Sequence, residues 1–373
     1  MSAAAAAKQL GVKPSTLYSY VSRGWLQSLP GPDGRSRCYA AAEVEALRTR
    51  AEATRGHKAV AAGAVQWGQP IIDTAISAIT AEGPLYRGVL ATRLCSEPFH
   101  RVADRLADHA HAWEPAQVLP DIDRAVALAA PPGERLHSRL VQLAAGLQGG
   151  APAALLQLFA VACAPDPQAA WQAAAHTAPA EILAAALGTE AVPALNTALV
   201  LCADHELNAS TFAARVAAST GASLPMAVCA GLAALSGPLH GALSAQITAL
   251  LDRIEVAGDA SIVLDSVLDA EEAVPGCGHR LYPGGDPRAR VLISAQAPDP
   301  LVAALLDDIE ALGLPAPSLD LGLVSLCRAL RLPAGSPMAV FAVGRTAGWL
   351  AHAREQRQRG ALIRPRARYT GPT

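Results

Sequence analysis

The chain has 373 residues, enough for two or three domains, and 51% of them are hydrophobic while only 4% are aromatic. A core drawn from Ala, Leu and Val favours closely packed helices, so the composition predicts a mostly α protein. The net charge of −2 excludes a chain that coats nucleic acid or membrane along its whole length, although residues 1–60 carry nine Lys or Arg against four acids, a local +5 that leaves −7 elsewhere.

Seven cysteines between Cys38 and Cys327 include no CxxC pair. They fit reduced thiols and a cytoplasmic location better than a disulfide framework or a metal site, and each reads as a small buried hydrophobe. The N-terminus lacks the basic-then-apolar layout of a signal peptide. Leu140–Pro165 and Val216–Leu251 are long enough to cross a bilayer, but glutamines, glycines and Pro152 interrupt the first and Ser, Thr, Gly, Pro and His240 the second. Both read as buried helices, with no membrane partner.

The opening stretch AAAAAKQLGVKPSTLYSYVSRGWL reads as helix, tight turn, helix. Gly11 closes the first helix, and Pro14 opens the second where its missing N–H costs nothing. Leu17, Val21 and Tyr20 then face inward, while Ser15, Tyr18, Ser19 and Ser22 form an outer face that suits a major groove. Pro30–Tyr39 is turn-rich and carries Arg35 and Arg37, and a third helix follows over Ala41–Arg50. This pattern resembles the winged helix-turn-helix of the MerR-like group, whose wing arginines approach phosphates. The resemblance makes Ser15, Thr16, Tyr18, Ser19, Arg35 and Arg37 the candidate DNA contacts. Two departures stand out: Lys13 occupies the usual capping position, and no Lys or Arg precedes Arg23 on the second helix. The alternative reading is a small helical docking module.

Residues 51–68 read as a connecting helix or linker. Asp73–Glu82 leads into GPLYRG at Gly83–Gly88, Phe99–Leu106 has helical spacing, and the chain to Val200 reads as successive helices with no repeat period and no Gly-rich phosphate loop.

Four clusters then mix charge or imidazole with Gly and Pro: Ala203–Thr211, Ser236–Gly241, Gly276–Ala289 and Pro317–Leu321, the last trailed by Arg345 and Arg364. Singly, His205 reads as a helix-surface imidazole, His240 as a turn histidine, Asp320 as a helix N-cap and Arg288 as a solvated charge. Jointly, three histidines, one aspartate and three arginines beside helix breaks suit a polycarboxylate substrate and a carbon acid.

The motifs ADHELNAST, GPLHG, GCGHRLYPGGDPRA, FAVGRTAGWLAH and IRPRARYTG occur in the order found in citrate synthases, with YRG at Tyr86–Gly88 as an earlier marker. The chain resembles that family from about residue 83 to residue 372. The resemblance implies that Asp320 takes a proton from the methyl group of acetyl-CoA while His240 donates to the thioester oxygen, base and donor acting together in a dry site. It makes His279 the group that polarises and then protonates the oxaloacetate carbonyl, with His205 at the same end and Asn208 supporting the pocket. Arg288, Arg345 and Arg364 hold carboxylates, the last reaching in from the partner of a homodimer. No cofactor and no metal are implied; acetyl-CoA enters as substrate. Departures from the family pattern lie at Ala242–Ser244 after GPLHG, at Pro283, and at Ser318 and Leu321–Val324 around the base.

The expected architecture is all-α. A helix-turn-helix head (1–58) precedes a citrate synthase-like large helical domain (60–244 and 333–373) and a small helical domain (245–332) that closes over substrates. The activity implied is condensation of acetyl-CoA with oxaloacetate to citrate and CoA. Alternatives are a 2-methylcitrate synthase using propionyl-CoA, or a DNA-binding regulator whose body senses oxaloacetate, citrate or a CoA ester.

Overall fold

The computed structural model describes residues 1–12, 16–17, 20–21, 26–30, 37–41, 43–44, 72–108, 136–147, 152–164, 167, 178–237, 240–241, 243–365, 369 and 371. Their contacts divide the chain into Met1–Asp73 with Arg364–Thr373, and Thr74–Ile363.

In the first unit, α1 (Ala3–Leu10) starts at Ser2, whose hydroxyl accepts from the Ala5 N–H, and stops at Gly11 with φ +63, a left-handed cap. Strand β1 (Ser28–Pro30) pairs antiparallel with β2 (Arg37–Tyr39). Ala6, Ala7, Leu10, Leu17, Leu26, Tyr39 and Val44 form a small core against which Tyr20 and Val21 pack. The inward face expected for the second helix is therefore occupied as its spacing predicts. Thr16 is half-buried and Arg37 exposed. The candidate contacts Ser15, Tyr18, Ser19 and Arg35, most of the third helix, and the linker at 51–68 lie outside the described residues.

The second unit opens with β3 (Ser77–Thr80), β4 (Gly83–Tyr86) and β5 (Val89–Leu90), a three-stranded antiparallel meander in a stretch to which the sequence reading assigned no element. The alternation there is too short to register as strand. A 3-10 turn (Ala91–Leu94) and thirteen α-helices follow among the described residues: α2 (Phe99–Ala107), α3 (Leu136–Gly146), α4 (Pro152–Ala162), α5 (Pro179–Leu187), α6 (Val192–Cys202), α7 (Ala209–Ser219), α8 (Leu224–Leu235), α9 (Leu243–Ala257), α10 (Ala260–Asp269), α11 (Pro287–Ser294), α12 (Pro300–Ala311), α13 (Leu319–Ala329) and α14 (Ser336–Arg359). The prolines that punctuate the sequence stand in the first turns of α5, α6, α8, α11, α12 and α14, where no N–H is needed. The two long uncharged runs are broken into separate helices, and no single described helix is long and apolar enough to cross a membrane. All seven cysteines are free thiols, with Cys163, Cys202 and Cys327 buried and the others half-buried.

Two apolar clusters organise this unit. The larger gathers α2 to α6, α8 and α14; the smaller gathers Ile247, Leu251, Leu264, Val302 and Leu305 from α9, α10 and α12. Helix α13 belongs to both. Leu319, Leu323 and Leu326 enter the larger cluster and Leu321 and Val324 the smaller. Asp320 thus lies on the helix that the two clusters share.

Glycines set the closest helix crossings. A Cβ on Gly344 would lie 2.8 Å from both Cys202 Cβ and the Leu199 carbonyl oxygen, so α14 rests directly on α6. A Cβ on Gly322 would lie 3.0 Å from Ala289 Cα, so α13 crosses α11 at backbone distance. These crossings bring Arg345 beside α6 and Asp320 beside the helix that starts at Pro287.

Candidate active site

Each of the three histidines sits in a break between helices, with one ring nitrogen engaged by the protein. His205 follows α6, next to Glu206, whose φ of +56 marks a strained turn. Asn208 then caps α7, its Oδ1 accepting from the Thr211 N–H at 3.0 Å and from the Ser210 hydroxyl at 2.8 Å. His240 closes the turn from Gly237 through its own N–H at 3.0 Å. Its Nε2 lies 2.9 Å from Ser210 Oγ, which also accepts from the Trp349 indole N–H at 3.2 Å. His279 Nδ1 accepts from the Leu281 N–H at 3.1 Å, so in the neutral ring Nε2 carries the proton.

The His279 loop is tied to the start of α13. Gly278 N–H donates to Ala316 O at 2.8 Å and Ser318 N–H to Gly276 O at 2.7 Å, around an antiparallel bridge between Cys277 and Pro317. A short backbone clasp therefore fixes His279 relative to Asp320.

Around His279 the groups converge. The rings of His205 and His279 meet edge-on at 5.4 Å, and Tyr282 lies 5.7 and 5.0 Å from them. Arg288 stacks over Tyr282 at 5.4 Å and is only 2% exposed. Asp286 binds it through Nε at 3.0 Å and Nη2 at 2.8 Å. Arg345, also 2% exposed, donates from Nε to Cys202 O at 2.7 Å and lies over Phe341 at 4.7 Å. Asp320 stands in the first turn of α13 and lines a narrow cleft with His240, Gly241, Leu323, Met338 and Phe341.

The electrostatics follow from enclosure. Burial pushes the Asp320 carboxyl up to about 6, against the pull of Arg288. Burial and Arg345 lower His240 to about 4. Burial, then Arg288, lowers His279, and the same causes with Arg345 hold His205 well below its ordinary range. For Arg288, burial opposes the charge but Asp286 outweighs it and raises the guanidinium above its ordinary value. The site therefore offers three neutral imidazoles, two buried cations suited to carboxylates, and a carboxylate more basic than a solvated one. Among the described residues no group of three or more His, Cys, Asp or Glu is placed to hold a metal ion.

The single-residue readings of His205, Arg288 and Asp320 give way. His205 is buried in a turn rather than set on a helix surface, Arg288 is enclosed, and Ser318 rather than Asp320 is the N-cap residue of α13. Six of the expected residues, His205, His240, His279, Arg288, Asp320 and Arg345, are linked by shared contacts, the cleft or mutual electrostatics. Asn208 joins them through Ser210. Arg364 is exposed and belongs to the unit of Met1–Asp73, so it is not among the residues gathered here.

Sequence reasoning missed Tyr282, Asp286, Ser210, Phe341 and Trp349. Asp286 precedes Pro287 in a helix-start pattern that signals a cap. Trp349 had no local signal, because the residue it serves lies 139 positions away. Beneath His205, Asp204 takes part in a buried network with Ser77, Tyr86 and His352, while Arg215 donates to His352 Nδ1 at 3.0 Å. Burial opposes the charge on Asp204, yet His352, Arg345 and Ser77 hold its carboxyl below the ordinary range.

Comparison with known proteins points to one family. Residues 164–366 match the family described as citrate synthase, C-terminal domain. The chain is 42% identical over 193 residues to putative citrate synthase 2 of Mycobacterium tuberculosis (strain ATCC 25618 / H37Rv), covering 48% of this chain and 52% of that protein. It is 38% identical over 192 residues to citrate synthase 2 of Bacillus subtilis (strain 168), covering 48% and 51%. The chain thus spans about half the length of the curated relatives it matches. In fold it resembles citrate synthase of Thermoplasma acidophilum, solved in ternary complex with carboxymethyl coenzyme A and oxaloacetate, with a TM-score of 0.67 at 24% identity over 82% of this chain and 95% of that one. With more than half its length matched by the family and a fold shared with solved members, the chain belongs to the citrate synthase family.

Proposed function

We propose that this chain condenses acetyl-CoA with oxaloacetate to give citrate and free CoA. The observation that carries this reading is the placement of Asp320 and His240 on one cleft beside the His205, His279 and Arg288 cluster. Asp320 takes the methyl proton, its basicity raised by enclosure. His240 donates to the thioester oxygen as negative charge develops there. The enolate carbon attacks the ketone of oxaloacetate, and His279 Nε2 delivers its proton to the alkoxide. Water then cleaves the thioester, releasing the CoA thiol. Arg288 and Arg345 hold the carboxylates, and Arg364 completes the site from the second subunit of a homodimer.

The test is thiol release from the purified protein with both substrates, which Asp320→Asn should reduce by about 10³-fold. Absence of release above background from folded wild-type protein would sink the proposal. The apolar lining of the cleft, Leu323 and Met338, also favours trials with propionyl-CoA, because one methylene in such a pocket changes binding by only about 1–3 kcal/mol. The ratio of kcat/KM for the two thioesters decides between them.

The head is proposed to be a MerR-like helix-turn-helix that binds DNA in the cytoplasm, a reading supported by its local positive charge and small core. A mobility shift that weakens with salt and responds to oxaloacetate, citrate or a CoA ester would support it, and no shift at low salt would overturn it.

A further inference from the structure

We propose that Tyr282 is a positioning residue that sets the tautomer of His205, so that His205 presents Nδ1–H as a fixed donor to a carboxylate of the 2-oxo dicarboxylic acid substrate. The inference rests on the condensation proposed above for the use of that donor, but not for the tautomer itself.

The argument begins with the backbone. Tyr282 N–H donates to His279 O and Gly285 N–H donates to Tyr282 O, both at 2.9 Å, so two consecutive turns fix the tyrosine. Its side chain points inward and is 2% exposed, enclosed by the rings of His205 and His279 and by the Arg288 guanidinium. Arg288 is held from the other side by Asp286. The phenol therefore has little freedom to turn.

Its oxygen lies 2.9 Å from His205 Nε2, and among the described residues it bonds no other group. A buried phenol must place its one proton on an acceptor. Burial pushes this phenol up to about 12, so the proton stays on oxygen. The ring nitrogen that receives it cannot carry a proton of its own. His205 is neutral, kept so by burial and by Arg288 and Arg345, and a neutral imidazole has one N–H. That proton belongs on Nδ1, which bonds no other described residue. The opposite tautomer would set the Nε2–H against the phenol and leave a bare nitrogen to meet a carboxylate, two acceptors face to face.

The test is nitrogen-15 NMR of the histidine-labelled 373-residue chain, with the His205 signals assigned by His205→Gln. The wild type should show His205 protonated on Nδ1. Tyr282→Phe, which removes only the hydroxyl, should shift His205 towards a mixture of tautomers. It should also raise the KM for oxaloacetate about tenfold while leaving the KM for acetyl-CoA unchanged, a split that a merely structural loss would not produce. Protonation on Nε2 in the wild type would overturn the proposal without any variant having to fold. So would a Tyr282→Phe protein whose His205 signals do not move. Failure of the wild type to release thiol would overturn the condensation instead, and the tautomer would still be read from the spectrum.

Discussion

Asp286 and Arg288, two residues apart, bind each other through both carboxylate oxygens and two guanidinium nitrogens, at 3.0 and 2.8 Å, with exposures of 1% and 2%. The same aspartate caps α11 through the Arg288 N–H and accepts the Leu319 N–H at 3.2 Å. One carboxylate thus joins the His279 loop, the start of α11 and the start of α13, which carries Asp320. Removing it leaves a buried guanidinium without its counter-charge, the costly half of a buried ion pair. Asp286→Ala is expected to lose about 3–5 kcal/mol in urea denaturation. Asp286→Asn keeps an oxygen for the cap and should lose less. A loss near zero for the alanine variant would show that water replaces the carboxylate.

Gly344→Ala sets helix propensity against packing. Alanine in a helix interior gains up to about 1 kcal/mol over glycine. Here the added methyl meets Cys202 Cβ and the Leu199 carbonyl at 2.8 Å, neither of which is the end of a flexible chain. Overpacking of that kind costs about 1–3 kcal/mol, so the net change should be destabilising. The next residue, Arg345, bonds the Cys202 carbonyl, and its shift should also raise the KM for oxaloacetate. Thermal unfolding and steady-state kinetics on one preparation test both parts.

Trp349→Phe probes the opposite end of the site. The indole is fully buried and donates to Ser210 Oγ, the atom that meets His240 Nε2. Losing that donor removes one of the groups that fix the Ser210 oxygen, so His240 is held less firmly where the proposed condensation needs it. The expected result is a kcat lower by about tenfold with the KM for oxaloacetate unchanged, the reverse of the Tyr282 pattern. Equal effects in both parameters would argue against this role.

What the sequence made legible was local. Gly11 and a proline near a helix start are signals that act within one turn: α1 stops at Gly11, and α5, α6, α8, α11, α12 and α14 each carry a proline in the first turn. The charged residues of the site were legible because histidine, aspartate and arginine are conspicuous among Ala and Leu. Their supports were not. Ser210, Tyr282 and Trp349 are ordinary core or turn residues until helices α7 and α14 and the His279 loop converge. The meander at residues 77–90 was missed for a related reason: strands of two to four residues carry too little alternation to separate from turns. Its value lies in Tyr86, whose hydroxyl donates to the Val200 and Asp204 carbonyls, at 3.0 and 3.1 Å, more than a hundred residues away.

The cleft pair should reveal itself in the pH dependence of stability. Enclosure raises Asp320 from its ordinary 3.8 to about 6, so between those values the folded protein binds a proton that the unfolded chain does not, and this group's contribution is lost as pH rises through about 6. His240 falls from its ordinary 6.5 to about 4, so the unfolded chain binds the extra proton, and its contribution is lost as pH falls towards about 4. Over pH 4 to 6 the two slopes oppose each other, each at most about 1.4 kcal/mol per pH unit. Asp320→Asn removes one of them. That variant is expected to be more stable than wild type at pH 8, to lose the advantage on acidification below 6, and to show a steeper acid decline. His240→Gln should decline less steeply than wild type across the same range. Denaturation midpoints at pH 4, 5, 6 and 8 test the signs, and parallel curves for all three proteins would show that neither group titrates differently in the folded state.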